Sequence, residues 1–167
     1  MTTTTPITAP NANASVTFRD DVATIACWRN LAIFEYRGAW QTAHVGQVAA
    51  LYERVFAQHE RAVGLFIATP AATMSPRAVN DAFSKLLRKL QERVVVSTLV
   101  IEDRGTLAAI ARGVIRTVGI LAGNARIRVC ATVDEAAPAL LPHLAPEDGR
   151  PVTMLQLNGV LRRLRAQ

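Results

Sequence analysis

The chain has 167 residues, 50% of them hydrophobic and 19% charged, a length and balance that a single core can organise. This excludes a collagen-like repeat, a low-complexity disordered chain and, with 2 cysteines, a disulfide framework. The formal charge of +6 is uneven: residues 77–93 carry +3 and residues 150–167 carry +4, against zero over 1–76 and −1 over 94–149.

Residues 1–17 begin with Thr, Ala, Asn and Pro in no apolar period, which predicts a disordered tail. Met1–Pro6 has neither a basic nor an apolar segment of the kind that signals secretion, and no apolar run reaches the ~20 residues of a membrane span. A cytoplasmic protein is expected. Val22–Arg29 alternates as a strand, with Ala26 and Trp28 on one side and Ile25 and Cys27 on the other. Asn30 turns the chain into a second strand, Leu31–Arg37, giving an antiparallel hairpin that Gly38 ends. From Thr42, a candidate N-cap, to His59 the period becomes helical through Val45, Val48, Tyr52, Val55 and Phe56. Val63–Ala68 is a short buried strand, and Thr69–Pro76 a loop.

Ser75-Pro76 predicts an N-cap followed by proline at the first helical position. The helix over Pro76–Glu92 turns Val79, Phe83, Leu86, Leu87 and Leu90 inward and Asp81, Lys85, Arg88 and Lys89 outward. Arg93–Ile101, nearly all β-branched, is a central strand. Thr106–Leu121 is a further helix with Gly123 beyond it, and Ala125–Ala131 a further strand. Thr132 and Glu135 form a capping box opening a helix to about Leu141, which Pro142 and Pro146 close. Residues 146–167 read as a linker and a basic amphipathic tail, in which Asn158-Gly159 argues against one continuous helix. The whole predicts an α/β domain over 18–145. Its sheet has five strands and is mixed, an N-terminal antiparallel hairpin and then mostly parallel strands, flanked by about four helices.

This order resembles the STAS/SpoIIAA-like superfamily, the anti-sigma-factor antagonist fold. The likeness covers residues 18–144 and points to a diverged member of the STAS/SEC14-like kind. It is carried by Arg93–Ile101 with the helix ending near Gly119–Gly123, and by Ile127-Arg128-Val129-Cys130-Ala131-Thr132-Val133-Asp134-Glu135-Ala136. The resemblance implies a non-enzymatic module that binds a partner protein, often a regulatory kinase, or else a nucleotide or lipid. It also implies a phosphorylated Ser or Thr after the third strand. Thr69–Pro76 stands there, so Ser75, Thr73 and Thr69 are the candidate phosphoacceptors. No Asp precedes them, and Pro70 and Pro76 bracket the loop.

Read as residues, Ser75 is an N-cap, or a phosphate site supported by Arg77 and the helix N-terminus. Lys85, Arg88 and Lys89 share one exposed face, which is either solvated or faces an acidic partner. Glu102, Asp103 and Arg104 follow a strand end, where open α/β sheets bind ligands. Leu157, Leu161 and Leu164 of the tail, beside Arg162, Arg163 and Arg165, need burial against the domain, against a second copy or another protein, or at a membrane surface. His44, His59 and His143 lack metal-ligand spacing and are expected to be solvent-facing or to act as caps. Cys27 and Cys130 are expected to be core thiols. No nucleophile, metal or phosphate-loop motif occurs, so no catalytic residue, metal or cofactor is expected. With 5% aromatic residues and no recognised module, no nucleic acid is expected either. The expected partner is a protein with an acidic surface, with a lipid or small apolar ligand as the alternative.

Overall fold

The computed structural model describes residues 13–102, 127–146 and 148–167. Its elements run β1 (Ser15–Arg19), β2 (Ala23–Trp28), β3 (Leu31–Tyr36), α1 (Thr42–Phe56), β4 (Ala62–Ala68), α2 (Arg77–Leu90), β5 (Val94–Ile101), β6 (Ile127–Cys130), α3 (Val133–Leu140) and α4 (Met154–Ala166). The fold is α/β. One six-stranded sheet takes its strands in chain order, antiparallel from β1 to β3 and parallel from β3 to β6. The predicted helix over 106–121, with Asp103 and Arg104, lies outside the described residues.

Five strands were too few. The extra one is β1, which starts inside the stretch expected to be tail. Ser15-Val16-Thr17-Phe18-Arg19 alternates over only 5 residues, and its pairing with β2 shifts register between Val16 and Phe18. The hairpin between β2 and β3 closes through Arg29 and Asn30, with Trp28 facing Leu31. Arg29 adopts φ 56°, an uncommon conformation for a residue with a side chain. Asn30 does more than turn the chain. Its buried amide donates to His143 O at 2.9 Å and accepts from Ala145 N at 2.7 Å, pinning the segment beyond α3 to the hairpin.

Alternation along the strands divides the interior. Ala26, Trp28, Leu31, Ile33, Val63, Leu65 and Ile67 face α3 and α4. Ile25, Ala32, Phe34 and Phe66 face α1 and α2 with Trp40 and Tyr52. Gly64 admits this packing, because a Cβ there would stand 2.7 Å from Tyr52 Oη and 2.9 Å from Ser97 Oγ.

The caps refine the sequence reading. α1 is capped by Gln41, one residue before Thr42, with Gln41 N donating to His44 Nδ1 at 2.8 Å. Thr132 caps α3 as expected, accepting from Glu135 N at 3.1 Å, but Glu135 reaches back to Ala131 N at 2.8 Å. α4 is continuous through Asn158-Gly159. Thr153 and Gln156 cap it reciprocally, and four of its apolar residues are buried, which outweighs the glycine's low helix propensity. Among the described residues no helix is long and apolar enough to cross a membrane.

Candidate functional site

The parallel strands deliver their carboxyl ends to one edge, and two concavities open there. The first is a groove of about 580 Å³ between α2, the 69–76 loop and the ends of β4 and β5. Tyr36, Trp40, Phe66 and Phe83 supply its aromatic wall, and Leu87 and Leu99 extend it. The rings meet edge to face: Trp40 to Phe83, Phe66 to Phe83 and Tyr36 to Trp40 all have centroids 5.5 Å apart. Burial pushes the Tyr36 hydroxyl pKa up to about 12. No charged side chain is among the described residues of the lining.

The loop is tied down at both ends. Thr69 N donates to Tyr36 O at 3.1 Å, and Trp40 N donates to Ser75 Oγ at 2.9 Å. This corrects the cap assignment: Pro76 is the N-cap of α2, and the Ser75 hydroxyl straps the loop to Trp40 instead. Asn80 Nδ2 adds a bond to Ser75 O at 3.1 Å. Thr73 is exposed, and Met74 is 91% exposed at the loop's crest. Thr69 Oγ1 and Trp40 Nε1 are buried without a hydrogen-bond partner among the described residues.

α2 rests lightly on this groove. Only Val79 and Leu90 are buried, while Phe83, Leu86 and Leu87, expected inward, are half-buried. Its outer face carries Arg77, Lys85, Arg88 and Lys89, all exposed. Arg77 stands 3.8 Å from Asp81, and the other three have no ion-pair partner among the described residues.

The second concavity, about 540 Å³, lies at the ends of β5 and β6 between α3 and α4. Its polar groups mostly satisfy each other. Glu102 accepts from Arg165 Nη2 at 2.7 Å, and Asp134 accepts from Asn158 Nδ2 at 3.2 Å. Arg165 Nε also reaches Glu35 at 2.6 Å, and Glu35 lies 3.4 Å from Arg37. Burial alone would lower the Arg165 pKa, but the bonds and charges of Glu102 and Glu35 raise it above its ordinary value. Glu102 is therefore a structural partner of α4 and not a free loop charge. Leu157, Leu161 and Leu164 are buried against the domain, so α4 is part of the core, while Arg162 and Arg163 remain exposed.

His44 takes the cap role the sequence allowed, but buried rather than solvent-facing. It is 3% exposed and functions as a cap, with Nε2 2.8 Å from Asp20 Oδ2. Burial would raise the Asp20 pKa, but hydrogen bonds from His44, Ala23 and Val22 hold it below its ordinary value. His143 is exposed and His59 half-buried. Cys27 and Cys130 are not joined in a disulfide, and burial pushes the Cys27 thiol pKa up. Among the described residues no cluster of His, Cys, Asp and Glu could hold a metal ion. The sequence singled out the loop and the charges of α2 but missed Tyr36, Trp40, Phe66 and Phe83 as one wall. The only signal was their aromatic character, scattered over four elements. No protein-family model matches the chain, and no curated protein matches it.

Proposed function

We propose that this chain is a non-enzymatic, cytoplasmic interaction module of STAS-like type that docks an acidic protein partner through the 69–76 loop and the outer face of α2. The observation that carries this reading is the exposed cationic face of Lys85, Arg88 and Lys89, without an ion-pair partner among the described residues, on a helix whose preceding loop exposes Met74 at 91%. An apolar anchor beside free cations is what a protein with an acidic rim around a small apolar pocket would recognise. The α/β class with a mixed sheet, an antiparallel hairpin and then parallel strands, agrees with the general class that the resemblance implies. Thr73 is exposed on the same loop, so a phosphate there would alter the docking charge directly.

The test is affinity capture from the source cell, with wild-type chain compared with a Lys85→Glu, Arg88→Glu, Lys89→Glu variant and with an Arg162→Glu, Arg163→Glu variant on α4. The expected partner is acidic, is lost with the α2 variant and with added salt, and is retained by the α4 variant. Recovery of the same partners by the α2 variant overturns the reading.

A further inference from the structure

We propose that the Asp20–His44 pair is a proton-sensitive latch that sets the order of the 69–76 loop through the segment before α1. Two consecutive backbone amides there are held by side chains. Gln41 N donates to His44 Nδ1 at 2.8 Å, and Trp40 N donates to Ser75 Oγ at 2.9 Å. An imidazole nitrogen that accepts carries no proton, so His44 is the neutral tautomer with its hydrogen on Nε2. That hydrogen goes to Asp20 Oδ2 at 2.8 Å. The ring is buried, with Phe18 edge-on at 5.7 Å and Trp40 tilted at 6.1 Å between centroids, so both of its nitrogens depend on these protein partners.

A proton added to Nδ1 would set two donors against each other across that 2.8 Å contact. The charged ring keeps Asp20, which gains a charge-assisted bond, and gives up Gln41 N. The Asp20 carboxyl also accepts from Val22 N and Ala23 N, and its pKa lies below the ordinary value, so it stays ionised where a histidine changes charge. The other charged groups around the ring are engaged or turned outward. Arg37 bonds to Asp20 O at 2.8 Å and stands 3.4 Å from Glu35, Arg19 bonds to Leu164 O at 2.9 Å, and Asp21 is exposed. The first turn of α1 holds no acidic residue. Because Trp40 adjoins Gln41, freeing Gln41 N loosens the segment whose neighbouring amide carries the Ser75 strap. The bonds of Thr69 N and Asn80 remain, so the loop opens at its crest and not at its ends. The latch is a property of the loop and does not depend on what the loop docks, so this experiment and the capture of an acidic protein can fail separately.

The test is NMR on the full chain between about pH 7.5 and about pH 5, the range in which histidines charge. Ring nitrogen shifts report the His44 tautomer. Protection factors, which remove the intrinsic pH dependence of exchange, report the Trp40 and Gln41 amides. The expected result is Nε2–H at the higher pH and, as the ring charges, a loss of protection of about fivefold or more at both amides, with the Met74 amide shift moving alongside. His44→Gln should abolish the response. Ser75→Ala should leave it at Gln41 while Met74 no longer follows. A melting curve establishes that His44→Gln folds; where it does not, Asp20→Asn takes its place and should move the response to lower pH, because the carboxylate favours the charged ring. A ring that stays neutral to pH 5, amides that stay protected as it charges, or a response that survives in His44→Gln overturns the proposal. So does unfolding of the whole chain on acidification in place of a local opening.

Discussion

The two segments that carry the excess positive charge, residues 77–93 and 150–167, contain α2 and α4, and the fold treats them in opposite ways. α4 buries Leu157, Val160, Leu161 and Leu164, and its Arg165 reaches Glu35 and Glu102 at 2.6 and 2.7 Å. α2 buries Val79 and Leu90 alone, and three cations on its outer face have no ion-pair partner among the described residues. Similar composition therefore yields a core helix in one place and a surface helix in the other. What separates them is whether the apolar stripe finds a filled layer and the cations find fixed carboxylates. Net charge by itself does not mark an interface; charge on a helix that is incompletely packed is the more informative sign.

The largest effect that tests this contrast is a pair of truncations. Leu157→Ala should cost about 2–5 kcal/mol, since the residue is fully buried and its neighbours belong to one packed cluster. Leu87→Ala on α2 should cost about 1 kcal/mol or less, because half of that side chain is already outside the packing. Urea unfolding of both variants provides the comparison. Equal losses would show that α2 is as firmly packed as α4 and would remove the basis for the distinction.

That contrast was only half legible in the sequence. The hairpin follows from the alternation of β2 and β3, and the parallel strands from short, nearly continuous apolar runs, which strands buried on both faces require. β1 was missed although Ser15–Arg19 alternates, because it is only 5 residues long and continues directly from a polar Thr, Ala, Asn and Pro stretch. Leu157, Leu161 and Leu164 announced a need for burial, but nothing local said against what. The answer depends on Asn30 and Arg165, whose partners lie 113 and 130 residues away. The aromatic groove was invisible for the same reason: its ring residues come from β3, the segment before α1, β4 and α2. Ser75 was legible as a cap by its neighbour Pro76, yet its hydroxyl serves a residue 35 positions earlier.

A second pair of substitutions reads the cations. Arg165→Ala leaves Glu35, 8% exposed, with Arg37 at 3.4 Å as its remaining ion-pair partner, and should cost about 1–2 kcal/mol. Lys89→Ala should stay within about 0.5 kcal/mol of wild type, because the residue is exposed and has no ion-pair partner among the described residues for truncation to remove. Added salt should narrow the difference only partly, as the Arg165–Glu35 contact is hydrogen-bonded and part-buried. A Lys89→Ala loss as large as that of Arg165→Ala would show that the α2 cations are structural, and the proposed docking face would lose its physical basis.

The smallest effect distinguishes the two faces of the sheet by pH. On the α1 side, Asp20 accepts from Val22 N at 2.8 Å and Ala23 N at 2.6 Å and meets His44 at 2.8 Å. These contacts hold its folded pKa below the unfolded value of about 3.9. A carboxyl depressed in the folded state contributes stability that is fully present above the unfolded pKa and is lost as pH falls through the folded one. The contribution is modest, because the Asp20 side chain remains 39% exposed and solvent screens it. Asp20→Asn should therefore lower stability slightly at neutral pH. It should also flatten the decline below about pH 4, so that wild type and variant converge as the carboxylate is protonated. Parallel curves down to pH 3 would mean that the Asp20–His44 contact does not hold the entry to α1, and that this face depends on apolar packing alone.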